Sequence, residues 1–321
     1  MSAVPPLPQF DDVLDAAARI APHARVTPVL RATALDTLAD CHLAFKAECL
    51  QRGNAFKFRG ACNAVFALSD AEAARGVVTH SSGNHGGALA LAARLRGIPC
   101  HVVAPDRAVG AKLARIAEQG AVLHRCAATI EAREAMCARV QAASGATLVH
   151  PYADPRVIAG QGTAVLELLH AQPDLEVVVV PVGGGGLASG SAIALAGMAP
   201  GVELVLAEPA GAADTLQSLQ RGERCTGFVP DTICDGLRTL VGELNLRILQ
   251  AHGAQVLAVE DADTIAAMRC LLVELKLLAE PSSAVALAAV LAHPARFAGR
   301  RVGIVLTGGN VDPDRLPWVA A

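Results

Sequence analysis

The chain has 321 residues and a formal net charge of −3, and 53% of its residues are hydrophobic although only 3% are aromatic. This length exceeds the size at which one hydrophobic core stops growing, so two lobes are predicted, and burial by small aliphatic side chains favours an α/β fold. The weak charge excludes a nucleic-acid partner, the lack of an apolar run of roughly 20 residues excludes a membrane span, and the lack of a signal-peptide pattern predicts a cytoplasmic protein.

The first informative segment is a predicted strand at residues 42–48, followed by a turn at 51–54 and a helical pattern that begins near Lys57. Lys57 lies between Phe56 and Phe58 and is one of only four lysines in a chain with 23 arginines. A desolvated amine loses its proton and can form a Schiff base with a carbonyl, which a guanidinium cannot. Lys57 is therefore either a reactive amine at the carboxyl end of a strand or an ordinary surface lysine.

From residue 76 onward, short apolar runs alternate regularly with amphipathic segments. This alternation predicts β/α units that form a compact parallel lobe. The predicted strands are 76–80, 99–104, 121–126 and 146–150, and the predicted helices are 84–96, 109–119 and 130–143.

The first strand-to-helix joint of this lobe contains Ser81, Ser82, Gly83, Asn84 and His85. The free N–H groups at a helix start carry partial positive charge and can bind a carboxylate. Two hydroxyls, an amide and an imidazole in the same turn can add hydrogen bonds to it. Ser and Asn also cap helices routinely, which is the alternative interpretation. Capping requires one such residue, so a turn with several of them favours a ligand site.

A β-branched run at 176–182 predicts a buried central strand, and it leads directly into four glycines at 183–186. Each glycine weakens a regular element by roughly 0.5–1 kcal/mol, so the run needs a physical reason. Successive N–H groups in a tight turn before a helix form a nest for a phosphate. The run is not a dinucleotide or Walker motif, and a flexible linker is excluded because the glycines lie between a strand and a helix.

The rest of the chain predicts strands at 202–207, 254–260 and 301–307 and helices at 11–20, 156–172, 262–278 and 283–293. Glu208 and Asp214 follow the first of these strands in a loop of small residues. Carboxylate and carbonyl oxygens in such a loop either bind a divalent cation or cap the next helix. The last strand ends at Thr307, which places a hydroxyl beside Gly308 and Gly309 at the carboxyl end of a strand.

Four motifs together resemble the serine racemase and serine/threonine dehydratase family of fold-type II pyridoxal-phosphate enzymes, from about residue 25 to 315. The motifs are Phe-Lys-x-Arg-Gly-Ala at 56–61, Ser-Ser-Gly-Asn-His at 81–85, the tetraglycine run at 183–186 and Gly-Gly-Asn at 308–310. The resemblance implies two open, mainly parallel sheet lobes of the tryptophan-synthase-β-like type, with the cofactor in the cleft between them. The implied lobes are a large one at 1–70 and 151–321 and a small mobile one at 71–150.

The resemblance also implies pyridoxal 5'-phosphate as the cofactor, with Lys57 as its Schiff-base lysine, Asn84 on its ring hydroxyl and Thr307 facing its pyridine nitrogen. A neutral hydroxyl cannot keep that nitrogen protonated, which weakens the electron sink and suits loss of a β-leaving group. The complete implied cofactor set is Phe56, Lys57, Asn84, Gly183, Gly184, Gly185, Gly186, Leu187 and Thr307.

By the same resemblance, residues 81–85 receive the carboxylate of an amino-acid substrate, and Ser82 faces the substrate opposite the lysine, as in racemases. Arg133 aligns with an arginine that approaches the pocket in the racemase branch of the family. His80 also matches the sequence pattern of that branch. The family further implies a homodimer. The implied ligands of a divalent cation, Mg²⁺, Mn²⁺ or Ca²⁺, are Glu208, the carbonyl of Ala212 and Asp214.

Three positions depart from the family pattern. Gly87 and Gln119 stand where nucleotide-regulated racemases carry Gln and Tyr, so activation by ATP is not expected. Tyr152 replaces an Asn and is expected to alter the substrate pocket. The chain ends soon after Asn310, so a C-terminal regulatory domain is not expected.

The sequence therefore predicts a lyase that converts L-serine or L-threonine to a 2-keto acid and ammonia, with Lys57 as the general base. The alternatives are serine racemisation, in which Ser82 reprotonates Cα, dehydration of 3-hydroxyaspartate, and a non-catalytic pyridoxal-phosphate protein. A second substrate carboxylate needs an extra cation near the β-carbon. Arg133 is either that cation or a solvated arginine on a charged helix. The charged helix favours the solvated interpretation, so serine and threonine are ranked ahead of hydroxyaspartate as substrates.

Overall fold

The computed structural model describes residues 7–107 and 110–319, without the side chains of residues 111 and 112. Residue 109 of one predicted helix, and residues 1–6 and 320–321 of the predicted large lobe, lie outside the described residues. The strands are β1 (Val29–Leu30), β2 (His42–Ala47), β3 (Val77–Thr79), β4 (Cys100–Pro105), β5 (Val122–Cys126), β6 (Thr147–Leu148), β7 (Val177–Pro181), β8 (Glu203–Pro209), β9 (Gln255–Val259) and β10 (Arg301–Leu306). The helices are α1 (Phe10–Ile20), α2 (Thr33–Ala39), α3 (Lys57–Phe66), α4 (Asp70–Arg75), α5 (Asn84–Arg96), α6 (Gly110–Glu118), α7 (Ile130–Ser144), α8 (Pro155–Ala171), α9 (Gly186–Met198), α10 (Asp214–Arg221), α11 (Glu243–Ala251), α12 (Asp261–Glu274), α13 (Pro281–Ala292) and α14 (Pro294–Phe297). No helix in the described ranges combines the length and apolarity needed to cross a bilayer.

Two sheets form the framework of the described chain. The larger has six strands in the order β1-β2-β10-β7-β8-β9, and the smaller has four in the order β5-β4-β3-β6. In the larger sheet β1 runs antiparallel to β2 while the other pairs are parallel, and the pairs of the smaller sheet are parallel. The predicted α/β class with two mainly parallel sheets is confirmed.

The larger sheet is buried on both faces, because its strands alternate between two apolar clusters. In β7, Val177 and Val179 pack in a cluster with α13, whereas Val178 and Val180 pack in a cluster with α8 and α9. A parallel strand covered by helices on both sides has no solvent face, which explains the continuous β-branched run. This packing fixes the end of β7, where the tetraglycine turn begins.

Most predicted elements occur, with boundaries shifted by a few residues. The predicted helix 262–278 ends at Glu274, and Lys276 beyond it adopts a left-handed φ of 58° that does not continue a helix. Helix α4 is not predicted, although the sequence carries its signal, a capping box between Ser69 and Glu72. Helices α11 and α14 are not predicted either, and no side chain caps either of them.

The strands of the smaller sheet lie within residues 77–148, and those of the larger sheet lie within 29–47 and 177–306. The two predicted lobes, with their boundaries near residues 70 and 150, and the movement of one relative to the other stay a prediction. Helix α3 packs against helices from both parts of the chain, because Phe58 shares one apolar cluster with Leu89 of α5 and Val157 of α8. The helix that begins at Lys57 is thus held between the two sheets.

Candidate active site

A cleft of about 410 Å³ is lined by the segments that follow β3, β7 and β10, so it lies at the carboxyl ends of strands from both sheets. All residues predicted to bind cofactor or substrate line this cleft. The predicted metal ligands are not among the lining residues. The fold thus brings together four motifs that are far apart in the sequence.

The segment before Lys57 is fixed by backbone pairing to the end of β10. The amide of Phe56 donates to the carbonyl of Thr307 at 2.9 Å, and the amide of Gly309 donates to the carbonyl of Asn54 at 3.0 Å. Because the first helical residue follows directly, this pairing sets the position of Lys57 relative to Thr307.

Lys57 is half-buried in the cleft rather than exposed on the surface. Its Nζ donates to the carbonyl of Pro151 at 3.2 Å and lies 5.0 Å from the centre of the Phe56 ring. Burial lowers the pKa of Lys57 to about 8, although the charge of Glu280 opposes this shift. A lysine with this pKa is about one-tenth free amine at pH 7, far more than a lysine with an ordinary pKa, and a nucleophile or general base requires the free amine.

The turn at residues 81–85 leaves the start of α5 uncapped. Gly83 is the N-cap residue, and no side chain caps the helix, so the capping interpretation of the serines is not what the structure shows. A Cβ on Gly86 would lie 1.9 Å from the carbonyl oxygen of Ser81, so only glycine lets the chain fold back here. The first-turn N–H groups therefore stay available for an anionic ligand.

The imidazoles of the cleft are neutral at pH 7. Burial lowers the pKa of His150 to about 4, and its Nδ1 accepts the backbone N–H of Ala153 at 3.0 Å. Burial likewise lowers the pKa of His85, whose Nε2 contacts the carbonyl of Val149 at 3.3 Å, and the pKa of His80. Positive charge among the described lining residues is therefore carried by Lys57, Arg107 and Arg133.

The tetraglycine turn is shaped both for a ligand and for packing. Gly185 is the N-cap of α9 at φ 92°, and no side chain caps this helix either. A Cβ on Gly184 would lie 2.4 Å from the ring of Tyr152, which also lines the cleft. The turn thus presents a free helix N-terminus of the kind that a phosphate occupies, and Tyr152 packs directly against it.

Thr307 and Leu187 also line the cleft. Thr307 is 3% exposed, and its Oγ1 donates to the carbonyl of Ser282 at 3.4 Å. The group at the end of β10 is therefore a buried neutral hydroxyl, as the sequence predicts.

Arg133 lines the cleft from α7 and is half-buried, while Arg139 on the same helix is exposed. The Nε of Arg133 donates to the carbonyl of Thr129 at 3.3 Å. After burial, the charge of Arg133 is the largest factor that lowers the pKa of His80, so the two side chains lie near each other. Arg133 thus lies at the cleft, and its role toward a substrate stays a prediction.

Glu280 also lines the cleft, and the sequence analysis did not single it out. Both oxygens of its carboxylate accept from the side-chain Nδ2 of Asn84, at 3.0 and 3.1 Å. A glutamate before a helix is common, since negative charge is favourable there, so Glu280-Pro281 is a weak functional signal.

The predicted metal loop contains two buried carboxylates near each other. Glu208 accepts the amides of Thr215 and Leu216, both at 2.9 Å, and so caps α10 as one interpretation predicts. Asp214 accepts the amide of Val241 through Oδ2 at 2.8 Å, but its buried Oδ1 has no hydrogen-bond partner among the described residues. Burial raises the pKa of Glu208 to about 8 and that of Asp214 to about 6. The unpartnered Oδ1 of Asp214, with a second carboxylate close by, fits a cation, although no cluster of three or more His, Cys, Asp or Glu side chains suited to a metal occurs in the described part of the chain.

Comparison with known proteins gives consistent matches. A family model described as pyridoxal-phosphate dependent enzyme matches residues 20–308. The beta-hydroxyaspartate dehydratase of Paracoccus denitrificans is 45% identical over 97% of this chain and 99% of its own length. The serine racemase of Arabidopsis thaliana is 44% identical over 92% of this chain and 90% of its own length. The crystal structure of serine racemase from Dictyostelium discoideum matches with a TM-score of 0.91 and 42% identity, over 95% of this chain and 99% of that chain.

Proposed function

The chain belongs to the family of pyridoxal-phosphate dependent enzymes that includes serine racemases and β-hydroxyaspartate dehydratases, and from this premise we propose that it dehydrates and deaminates a small β-hydroxy amino acid. The products are a 2-keto acid and ammonia. The observation that carries the proposal is the half-buried Lys57, with its lowered pKa, in one cleft with two uncapped helix N-termini.

The cleft has the features that pyridoxal phosphate requires. The N-terminus of α9 and the tetraglycine turn are suited to its phosphate, Lys57 to its aldehyde, and Thr307 to its pyridine nitrogen. When bound, the cofactor withdraws electrons from Cα and so acidifies the Cα–H bond.

The residues of the chain then bind the substrate and move protons. The N-terminus of α5 and the hydroxyls of Ser81 and Ser82 bind the substrate carboxylate, which orients the amino acid. Lys57 accepts the proton from Cα as general base, the Cβ–O bond breaks, and the proton held on Lys57 passes to the departing hydroxyl, which leaves as water. The resulting enamine tautomerises to an imine, and one water molecule hydrolyses it, so the amino acid yields one keto acid and one ammonia. Closure of the smaller lobe, which carries the carboxylate-binding turn, would exclude other water during these steps.

The position of Arg133 supports 3-hydroxyaspartate ahead of serine and threonine. A second carboxylate in a half-buried cleft needs a cation, and Arg133 makes no ion pair with a described residue. Its guanidinium is therefore available to a substrate, and guanidinium binds carboxylate well because of its planar fork of donors. The similarity to a β-hydroxyaspartate dehydratase supports the same order.

Replacing Arg133 with alanine tests this order. We expect wild-type kcat/KM for a 3-hydroxyaspartate isomer to exceed that for L-serine and L-threonine. The variant should lose about 100-fold toward hydroxyaspartate, or about 2.7 kcal/mol, because a buried carboxylate loses its charged partner, while L-serine changes by less than about 3-fold. Arg139→Ala on the exposed face of α7 is the control and should leave both substrates unaffected. A wild-type preference for L-serine, or an equal loss toward both substrates, would restore serine and threonine to first place.

We also propose that a divalent cation binds at Glu208, Asp214 and the carbonyl of Ala212, where it supports the loop before α10 rather than the chemistry. The unpartnered Oδ1 of Asp214 supports this site, because a buried carboxylate oxygen without a partner is costly.

Magnesium should therefore stabilise the protein. At about 100 times Kd, binding adds about 2.7 kcal/mol and raises Tm by about 5 °C in a chain of this size. Asp214→Asn should remove the response, whereas Asp263→Asn on the exposed side of α12 should keep it. Thermal melts in Mg²⁺ and in chelator at equal ionic strength make the comparison, and identical wild-type melts would exclude the cation.

A further inference from the structure

Glu280 connects the larger lobe to the carboxylate-binding turn. It is 6% exposed, it directly precedes α13, and its two carboxylate oxygens contact Nδ2 of Asn84 at 3.0 and 3.1 Å. Asn84 is the first residue of α5 in the smaller lobe. These contacts therefore cross the cleft between the two sheets.

The amide of Asn84 is held from its other side as well. Its Oδ1 accepts from Nδ2 of Asn310 at 3.0 Å, and the same Asn310 nitrogen donates to the carbonyl of Gly53 at 2.8 Å. A carboxylate only accepts hydrogen bonds, so Glu280 requires Asn84 to present its NH₂ group. A flipped amide would set oxygen against oxygen at Glu280 and nitrogen against nitrogen at Asn310. The network thus specifies one orientation of the Asn84 side chain.

Glu280 has little freedom to move. Its backbone amide donates to the carbonyl of Gly308 at 3.0 Å, and a Cβ on Gly308 would lie 2.6 Å from Oε1 of Glu280. The carboxylate is therefore packed against the segment that pairs with the residues before Lys57. A role as a helix cap does not explain this placement, because α13 has no side-chain cap bond at Glu280.

We infer that Glu280 is a positioning residue, which fixes the Asn84 amide and holds the turn at residues 81–87 at its distance from Lys57. The inference rests on the proposed function, because it assigns that turn to the substrate carboxylate. Glu280 acts through Asn84 rather than on the reacting atoms. Its negative charge also reaches Lys57, whose pKa it raises against the effect of burial.

An exchange of donor and acceptor tests the inference. Asn84→Asp places a second carboxylate against Glu280, and adding Glu280→Gln supplies an amide donor that makes the pair complementary again. At saturating pyridoxal phosphate, amide hydrogen exchange at residues 87–93, the first hydrogen-bonded amides of α5, should accelerate about 10-fold in the single variant, because a buried contact that holds the start of the helix is lost. The double variant should return to within about 3-fold of the wild-type rate.

Glu260→Ala is the matched control, since Glu260 precedes α12 as Glu280 precedes α13 and also makes no cap bond. It should leave exchange at residues 87–93 unchanged, whereas Glu280→Ala should accelerate it. A double variant that exchanges as fast as Asn84→Asp, or a Glu280→Ala variant indistinguishable from the control, would overturn the inference. These exchange rates can be measured without turnover. A wild-type protein that converts no β-hydroxy amino acid would refute the proposed function, but the exchange test would still decide the role of Glu280.

Discussion

Replacing Lys57 with alanine is expected to abolish covalent attachment of pyridoxal phosphate and to lower kcat by at least about 10⁴-fold. Among the described residues that line the cleft, Lys57 is the only lysine, so no other amine there can replace it. The variant loses the nucleophile for the cofactor and the general base for Cα in one change. Its α3 helix should still form, because alanine is a good helix former.

The measurement combines the visible absorbance of lysine-bound cofactor with borohydride reduction and peptide mass spectrometry. The pyridoxyl label should lie on the peptide that contains Lys57 in the wild type and be absent in the variant. Uptake of cofactor by the cofactor-free protein should speed up as pH rises to about 8 and then level off, because the pKa of the free Lys57 amine is about 8. Lys276→Ala, at an exposed lysine, is the control, and a label that persists in Lys57→Ala would refute the assignment.

The second large effect is expected at Arg59, two residues after Lys57 on α3. Arg59 is fully buried, its Nε donates to Glu48 at 2.7 Å, and its Nη1 donates to Glu167 at 2.7 Å. Burial acts to lower the pKa of Arg59, but the two carboxylates more than offset it and raise the pKa overall. Arg59→Met leaves Glu48 buried without its charged partner, which should cost about 3–5 kcal/mol of unfolding free energy.

Denaturant unfolding of the purified variants measures this cost. Adding Glu48→Gln to Arg59→Met should recover at least about 1 kcal/mol, because the unpaired buried charge is removed. Arg301→Met provides the matched control, since Arg301 is 45% exposed and pairs with Glu176 at 3.1 Å, and it should cost under about 1 kcal/mol. Equal costs at Arg59 and Arg301 would show that the buried network does not fix the helix that carries Lys57.

The sequence was sufficient for those parts of the site whose chemistry lies within a few consecutive residues. Lys57 at the start of a helix and the glycines before α9 each form a strand–turn–helix pattern, and the carboxyl ends of parallel strands meet at one edge. Their meeting in one cleft could therefore be predicted before any distance was known. The continuous β-branched run of β7 likewise predicts a strand that is buried on both faces, and its alternate side chains do pack into two helical layers.

Contacts between distant residues could not be predicted in this way. Glu280 and Asn84 are 196 positions apart, and each has an ordinary role at a helix start that explains its presence locally. Arg133 and Arg139 lie on the same charged helix, and only the packing of α7 decides which of them faces the cleft. In the loop before α10, Glu208 caps the helix while Asp214 keeps an oxygen without a partner among the described residues, so the capping and cation interpretations of the sequence are not exclusive.

The central claim is that this protein converts a β-hydroxy amino acid to a 2-keto acid and ammonia, with Lys57 as the general base in the cleft. Simultaneous measurement of amino acid consumed, keto acid formed and ammonia released by the wild-type protein, with 3-hydroxyaspartate and with L-serine, tests it most directly. The account predicts that all three quantities are equal throughout the reaction and that Lys57→Ala releases neither product. Keto acid formed without an equal amount of ammonia, or no consumption by a protein that has bound pyridoxal phosphate, would contradict it.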